Sequence, residues 1–310
     1  PPEVLVVADV PDPVASPGRV VVDVEAAGVN FVDALFISGE YQIKPQLPFT
    51  PGNEVAGTVR TLGEGVSSVA TGDRVLVSVG LGGFASAVAA AEHQLMAIPP
   101  NMDAARAATF TQSYCTALFA LRRRARVQSG ERVLVLGAGG GVGLAAVDVA
   151  RWLGCEAVGA ASTEEKRTAA LSAGATRVVD SSVPALKYRD VTDWVDVVVD
   201  PVGGEHSVSA LRALREGGRL VVIGFASGAI PSIPANHVLL RNREVIGVDW
   251  GAWAMSHHAE QRSMLGELLG AVAGGQLHPV SPVKYALDDV VLALNALMSR
   301  GVTGKVALIP

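Results

Sequence analysis

A dense run of glycines in the middle of the chain is the feature whose spacing most clearly points to chemistry. The run comprises Gly137, Gly139, Gly140, Gly141 and Gly143, with Val142 between the last two. It follows an apolar segment, residues 133–136, and precedes an Ala-rich segment, residues 144–151. Glycines let the backbone turn tightly and approach a ligand, and the N–H groups that begin the next helix attract phosphate. The pattern predicts a Rossmann-type dinucleotide site; the alternative is a tight strand–helix turn without a ligand.

The residues after the next predicted strand bear on which dinucleotide would bind. NAD sites place an Asp or Glu about 20 residues beyond the glycines, against the ribose hydroxyls. Here the strand ends at Ala161 without an acid, and Ser162, Thr163 and Lys166 follow. Hydroxyls and a cation suit a 2′-phosphate, which predicts NADP(H), with NADPH as the reduced form. In the alternative interpretation Ser162 caps a helix in a capping box with Glu165, and Lys166 is a solvated lysine.

The elements that would position this turn divide the chain into two parts. Up to about residue 110 the sequence is β-rich, with predicted strands over 19–25, 55–60 and 73–78 between Gly-rich turns. Short, regularly spaced strands predict a small barrel-like domain. Residues 102–124 carry apolar side chains at helical spacing.

Beyond residue 130, predicted strands and helices alternate. The strands are predicted over 132–136, 156–160, 178–180, 195–200, 219–224 and 244–248, and the helices over 143–153, 163–173 and 205–214. This alternation predicts a parallel sheet covered on both faces. Two further helices are predicted over 257–273 and 287–299, and a final strand, 305–309, is predicted to return to the first domain.

Composition excludes several classes of function. The 310 residues are 49% hydrophobic and 18% charged, which is typical of a globular protein of about two domains. A net charge of -5 argues against nucleic acid as the main partner. We find no apolar run near the ~18–20 residues that span a membrane and no leader peptide. Cys115 and Cys155 lack metal-type spacing and indicate a reducing, cytoplasmic location. Because the chain starts with Pro1 rather than Met, we expect the natural N-terminus to lie upstream.

Several segments, in one order along the chain, resemble the zinc-independent quinone oxidoreductases, the zeta-crystallin-like branch of the medium-chain dehydrogenase/reductase superfamily. They are GVNFVD at 28–33, SGEY at 38–41, LPFTPGNE at 47–54, GDRV at 72–75, the glycine run, DPVGG at 200–204, GRLVVIGF at 218–225 and GVTGKV at 301–306. The resemblance implies an α/β protein with a GroES-like, partly open β-barrel domain, 1–114 and 253–310. It also implies a Rossmann NADP(H)-binding domain, 115–252, with the substrate cleft between the two.

The resemblance also bears on zinc. Zinc-dependent relatives carry a histidine where this chain has Asn53, no Cys precedes that position, and the six histidines are scattered. A catalytic zinc needs three ligands facing one point, so we expect no metal. Without a Lewis acid to hold an alkoxide, hydride addition to a conjugated acceptor is favoured over alcohol oxidation.

The resemblance implies roles for particular residues. Asn30, Phe31 and Asp33 would line the cleft near the nicotinamide, and Tyr41 would hydrogen-bond a quinone oxygen. The alternative, purely structural roles are a hydrogen bond to a turn backbone for Asn30, a helix cap for Asp33 and a loop aromatic for Tyr41. The other implied cofactor contacts are Thr116, Gly224, Phe225, Val248 and Arg300. Arg300 can instead be a helix C-terminal charge. Lys305 would lie in the C-terminal segment that closes on the cofactor, and Asp180 stands where some relatives place an aromatic.

Three functions remain open on the sequence. The first is an NADPH-dependent quinone oxidoreductase; the second is a reductase of an enone or enoyl thioester; the third is a non-catalytic NADPH-binding protein with a structural or sensing role. A basic rim for a CoA phosphate would favour the thioester, and the only basic cluster is Arg122–Arg124 with Arg126. The predicted strand 244–248 lies at a sheet edge, which predicts a homodimer because exposed edges need cover.

Overall fold

The computed structural model describes residues 2–182 and 191–310. The chain divides into two compact units, Pro1–Gln112 with Pro279–Pro310, and Ser113–His278. The second unit is continuous in sequence, whereas the first combines an N-terminal and a C-terminal segment. Each unit has its own sheet.

The first unit is built on a mostly antiparallel sheet. Its strands are β1 (Arg19–Val29), β2 (Glu54–Leu62), β3 (Arg74–Ser78), β4 (Ala87–Ala91), β5 (Leu95–Ala97), β12 (Val283–Ala286) and β13 (Val306–Ile309). The order is β12-β13-β1-β2-β3-β5, with β4 also paired to β1. Because β12 and β5 stand at opposite ends of this order among the described residues, the sheet stays open. The unit also contains α1 (Phe31–Ser38), α2 (Ala104–Ala108) and α10 (Val290–Met298).

The C-terminal strand completes the core of the first unit. β13 pairs antiparallel with β1, with Gly28 opposite Ala307. Val306 and Leu308 are fully buried in the same apolar cluster as Val20 and Val22. The predicted return of residues 305–309 to the first domain is therefore confirmed.

The second unit is built on a parallel sheet. Its strands are β6 (Arg132–Leu136), β7 (Glu156–Ala161), β8 (Arg177–Asp180), β9 (Val195–Asp200), β10 (Leu214–Val222) and β11 (Glu244–Gly247). The order is β11-β10-β9-β6-β7-β8, and every pairing is parallel. The order reverses direction at β6, the strand that leads into the glycines. Such a switch point creates the crevice in which doubly wound sheets bind dinucleotides.

The helices of the second unit follow the predicted alternation. They are α3 (Thr111–Leu118), which begins just before the unit boundary, α4 (Gly141–Trp152), α5 (Glu164–Ser172), α6 (Gly204–Ala210), α7 (Ala235–Leu239), α8 (Trp250–Ser256) and α9 (His258–Ala273). The stretch predicted as helical over 102–124 is divided into α2, α3 and a π-helical segment, Phe119–Arg124. The predicted helix 205–214 is shorter, because Leu214 already pairs with Val195 in the sheet.

Residues 253–278 group with the parallel-sheet unit, whereas the sequence assigned them to the first domain. Side-chain contacts explain the difference. The Trp253 ring packs on Phe119 with centroids 4.8 Å apart, and the Arg122 guanidinium pairs with Glu267 at 2.6 Å. Near the end of this segment the His278 N–H donates to buried Asp148. These residues are anchored on α4 and on the helical segment that includes α3.

Candidate active site

The glycine run forms a tight turn between β6 and α4. Gly137 has φ +60°, in the left-handed region that favours glycine. The Gly140 N–H donates back to the Gly137 carbonyl at 2.9 Å, and α4 begins at Gly141 with Gly140 as its N-cap. At Gly143 an added Cβ would lie 2.2 Å from the Gly137 carbonyl oxygen. The turn therefore brings the helix N-terminus against the strand end, where N–H groups can receive phosphate.

Lys166 lies directly beside this turn. An added Cβ at Gly139 would lie 2.4 Å from the Cβ of Lys166. The lysine stem thus packs against the glycine backbone. A partly exposed lysine next to the glycine turn agrees with the position that the sequence predicts for a residue contacting a 2′-phosphate.

The cap of α5 is Thr163 and not Ser162. The Thr163 hydroxyl accepts from the Lys166 N–H at 3.3 Å, and the helix begins one residue later than the capping-box interpretation requires. The interpretation of Ser162 as the cap was wrong. Ser162 and Thr163 are adjacent hydroxyl residues, and Thr163 occupies the extended cap position. Ser162 is exposed at the end of β7. Arg167, which we did not single out, pairs with Asp180 at 3.3 Å.

A buried carboxylate shapes the turn after β9. Asp200 is fully buried, and one carboxylate oxygen accepts from the N–H groups of Val202 and Gly203 at 2.8 and 2.9 Å. The other accepts from the Ser207 hydroxyl. Gly203 has φ +76°, and an added Cβ would lie 2.9 Å from the Phe225 ring. Asp200 therefore fixes the turn against the segment that contains Phe225.

The predicted cofactor residues of the second unit gather at one edge of its sheet. The glycine run follows β6, Ser162 and Thr163 follow β7, Gly224 and Phe225 follow β10, and Val248 follows β11. The carboxyl ends of all these parallel strands meet at this edge. Thr116 is buried in α3. The glycine cradle, which any Cβ at Gly139 or Gly143 would fill, fits a dinucleotide diphosphate.

Two of the three predicted catalytic residues, Asn30 and Asp33, belong to a buried polar cluster in the first unit. Asn30 stands at the junction of β1 and α1, and its Nδ2 donates to Glu54 at 2.9 Å and to Asn53 at 3.1 Å. Lys305, just before the final strand, donates to the side-chain oxygen of Asn30 and to Glu54, the latter at 3.3 Å. Lys305 is only 7% exposed. Lys305 is therefore a buried neighbour of Asn30. Its GVTGKV motif had not predicted this contact.

Asp33 is fully buried beside this cluster. Its carboxylate accepts from the N–H groups of Asn30 and Gly52, at 2.7 and 3.2 Å. Burial raises the pKa of Asp33 from 3.8 to about 7, although the Asn30 N–H and the Lys305 charge oppose this rise. With both oxygens bonded to the backbone, Asp33 positions the start of α1 and the Gly52 turn.

Three other predicted residues of this unit are partly or largely exposed. Phe31 is partly exposed at the first turn of α1. The Tyr41 ring packs against Phe36, with centroids 4.7 Å apart. Arg300 is exposed after α10 and has φ +57°, where glycine is the usual residue. A non-glycine residue in this conformation costs roughly 1 kcal/mol, which is often retained for a functional side chain.

The sequence did not single out Gln112 as a site residue. Its N–H donates to Glu54 at 2.9 Å, and its side-chain oxygen accepts from Asn53 Nδ2 at 3.2 Å. The adjacent boundary between the two units is the one signal that would have drawn attention to it.

Residues 2–182 and 191–310 contain no cluster of three His, Cys, Asp or Glu side chains that could hold a metal ion. Within the same ranges, none of the helices combines the length and apolarity that a membrane span requires.

Two family models match the chain. Residues 16–100 match the alcohol dehydrogenase GroES-like domain, and residues 141–267 match the zinc-binding dehydrogenase model. Among curated proteins, the chain is 38% identical to bovine (Bos taurus) quinone oxidoreductase-like protein 2, covering 98% of this chain and 88% of the relative. It is 35% identical to the quinone oxidoreductase of Sus scrofa, covering 97% and 92%.

A solved structure agrees with these matches. The quinone oxidoreductase of Thermus thermophilus, which was also solved as a complex with NADPH, superposes with a TM-score of 0.85. It is 36% identical, and the match covers 98% of this chain and 95% of that one.

A GroES-like unit and a parallel sheet with a glycine turn at its switch point define the class of this protein, a dinucleotide-binding oxidoreductase. The α/β fold predicted from the sequence is thereby confirmed. The matches over nearly the whole chain go further. The chain belongs to the zeta-crystallin-like quinone oxidoreductases of the medium-chain dehydrogenase/reductase superfamily.

Proposed function

We propose that this chain is an NADPH-dependent quinone oxidoreductase that reduces a quinone or a similar conjugated carbonyl compound without zinc. The observation that carries the proposal is the packing of the Lys166 stem against Gly139 of the glycine turn, from which its ammonium group would reach a phosphate bound nearby. The names of the bovine and porcine relatives and the NADPH complex of the Thermus enzyme support it. NADPH, when bound, supplies the hydride.

The residues of the second unit have distinct tasks in holding the cofactor. The N–H groups of the 137–143 turn would receive the diphosphate. Ser162, Thr163 and Lys166 would hold the 2′-phosphate, with the Thr163 hydroxyl also capping α5. Gly224, Phe225 and Val248 would hold the nicotinamide half at the same sheet edge. Thr116 in α3 is a further proposed contact, and Arg300 of the first unit is the last.

Within the first unit, we assign catalysis to hydrogen bonding and positioning. Tyr41 would hydrogen-bond a quinone oxygen. Asn30, whose amide bonds to Lys305, Glu54 and Asn53, would shape the wall beside the acceptor. Asp33 would hold Asn30 in place through its backbone N–H.

Zinc-independence is supported by the chemistry of the residue at the position of the zinc histidine. Asn53 offers an amide, which is a poor zinc ligand compared with imidazole, thiolate or carboxylate. Its oxygen already accepts from Asn30, and its nitrogen donates to Gln112. The adjacent carboxylate of Glu54 is bonded to Lys305, Asn30 and the Gln112 N–H. Metal analysis of the purified active enzyme should therefore find substoichiometric zinc.

The enoyl thioester alternative is not favoured by the basic cluster. Arg122 pairs with Glu267 and Arg126 with Glu244, and the Arg124 guanidinium donates to the Gly247 carbonyl. The Arg123 guanidinium lies 4.8 Å from the Trp253 ring centroid. Arginines with these partners are poor candidates for a CoA phosphate site.

The deciding experiment measures NADPH oxidation against quinones, enones and enoyl-CoA esters, with NADH as the control. We expect quinone reduction with NADPH preferred. Reduction of an enone but of no quinone would assign the enzyme to double-bond reduction, and binding without turnover would indicate the structural or sensing role.

Lys166→Ala should raise the KM for NADPH about tenfold and leave the KM for NADH unchanged. The control is Lys284→Ala, at an exposed lysine of β12. Equal effects of Lys166→Ala on both cofactors would refute the phosphate role.

We also propose a homodimer in a reducing, cytoplasmic compartment. β11 ends the strand order of the described sheet, and Val245 on it is exposed. An apolar edge strand needs a partner or cover. Both cysteines are buried thiols, which supports the compartment. Sedimentation equilibrium should give twice the chain mass, and a monomer at all concentrations would refute the dimer.

A further inference from the structure

A directed chain of hydrogen bonds runs through the first unit and ends at Gln112. Lys305 Nζ donates to Asn30 Oδ1, and Asn30 Nδ2 donates to Asn53 Oδ1 at 3.1 Å. Asn53 Nδ2 then donates to the Gln112 oxygen at 3.2 Å. At each step an amide accepts on its oxygen and donates from its nitrogen. We call these four side chains the amide relay.

The direction of the amide relay is fixed by chemistry. Lys305 can only donate, so Asn30 must turn its oxygen towards it. The Asn30 nitrogen then faces Glu54, which as a carboxylate can only accept, and Asn53, which must therefore present its oxygen. Asn53 in turn presents its nitrogen to the Gln112 oxygen. Gln112 is left with its Nε2 group, and no described residue is bonded to that nitrogen.

Gln112 is also held at its main chain. Its backbone N–H donates to the second oxygen of Glu54, which is only 3% exposed. Both the Cα position and the side-chain orientation of Gln112 are thus set by a buried ion pair. The side chain itself is partly exposed. A preset N–H donor at the surface suits an acceptor oxygen, because aligned hydrogen bonds polarise one another and the donor needs no reorientation.

We propose that Gln112 Nε2 donates a hydrogen bond to the carbonyl oxygen of the electron acceptor. The inference rests on the proposed function, which it deepens by naming a second group, besides Tyr41, that recognises a carbonyl oxygen. A quinone that gains a hydride from NADPH carries the negative charge on a carbonyl oxygen, NADP+ remains, and a proton from water completes the hydroquinone. Gln112 would stabilise that oxygen as its charge develops. Lys305 and Asn53 are positioning residues in this scheme.

The first test is kinetic. Gln112→Met keeps the side-chain length and removes the donor. Because the donor acts on charge that develops in the transition state, kcat with 1,4-naphthoquinone should fall about tenfold to a hundredfold with little change in KM. Gln276→Met, at an exposed glutamine of the second unit, is the matched control and should leave both constants unchanged.

The second test reverses the amide relay. In Asn53→Asp the new carboxylate can only accept, so Gln112 should turn its nitrogen inwards and expose its oxygen. The fall in kcat should match that of Gln112→Met. Asn53→Leu, which cuts the relay without adding charge, should give a smaller fall in the same direction. Wild-type kcat in Asn53→Asp would overturn the relay.

A readout without turnover separates this inference from the proposed function. In the free enzyme, 4-nitrophenolate serves as a stable mimic of the charged oxygen. We expect the side-chain amide signals of Gln112, identified by their loss in Gln112→Met, to move downfield in ¹H–¹⁵N spectra as the phenolate is added. If no quinone is reduced but these signals move, the oxygen site stands and the proposed function fails. If quinones are reduced, the signals stay fixed and Gln112→Met keeps wild-type kcat, the inference is refuted.

Discussion

Replacing Asp33 by Asn should make the stability of the first unit much less dependent on pH. Asp33 is 0% exposed, and burial raises the pKa of its carboxyl group to about 7. The unfolded chain releases this proton near its ordinary pKa of 3.8. Between these values the native state holds a proton that the unfolded state has lost, so stability falls as pH rises. The stabilisation that this bound proton gives the native state is fully present below the unfolded pKa of 3.8. It is lost as pH rises through the native pKa of about 7.

The size of the effect follows from the separation of the two pKa values. Each pH unit between them costs about 1.4 kcal/mol. From pH 5 to pH 7, where the native group is half ionised, the wild type should therefore lose about 2 kcal/mol through this group alone. In Asp33→Asn that loss disappears. The variant should still be less stable at pH 5, by about 1–3 kcal/mol, because an amide cannot accept from both N–H groups.

Urea unfolding at pH 5, 6, 7 and 8 would measure the effect as the stability difference between variant and wild type. We expect the variant to gain about 2 kcal/mol relative to the wild type between pH 5 and pH 7, with only a small further gain up to pH 8. Asp9→Asn, at an exposed aspartate of the same unit, controls for the change in net charge and should show no such trend. A constant difference between Asp33→Asn and wild type across this range would mean that Asp33 is ionised in the native state, which would refute the reasoning.

Two further predictions concern the second unit. Gly143→Ala should destabilise it by about 1–3 kcal/mol and weaken NADPH binding, since the new Cβ would lie 2.2 Å from a backbone oxygen. Calorimetry would measure both, and Gly270→Ala, at an unobstructed position in α9, should be neutral or stabilising. Asp148→Asn should cost about 2–4 kcal/mol in urea unfolding, because buried Asp148 accepts from Tyr114, Arg151 and the His278 N–H. A loss below about 0.5 kcal/mol, the size of a typical surface substitution, would contradict the importance of these contacts.

Elements with strong local patterns could be predicted closely. β6 and β9 have the predicted limits, because each is rich in valine or leucine and ends where the chain must turn. The glycine run gave the position of α4 to within two residues, since an N-terminal glycine turn is a local feature. The cap of α5 was misplaced by one residue because Ser162 and Thr163 are both good caps, and only the backbone conformation distinguishes them.

The amide relay could not be predicted, because its members are distant in sequence. Lys305 bonds to Asn30 across 275 positions. Asn30 and Lys305 each stand in a motif of their own segment, but only the pairing of β13 with β1 brings the two together. The predicted domain boundary near residue 253 differs from the observed boundary between the units for a similar reason. It depends on Trp253 and Glu267 finding partners in the segment around Phe119.

The pairing of β13 with β1 has a consequence for synthesis on the ribosome. The parallel-sheet unit, Ser113–His278, is continuous and has all its strands as soon as it emerges. The first unit begins synthesis earlier, yet its core lacks Val306 and Leu308 until the C-terminal strand is made. During translation the N-terminal segment of the first unit therefore keeps an exposed apolar face until β13 is made, although the second unit, made later, can already fold. Chaperone binding to nascent chains should be strongest on residues 19–97 and should end when residue 309 is released.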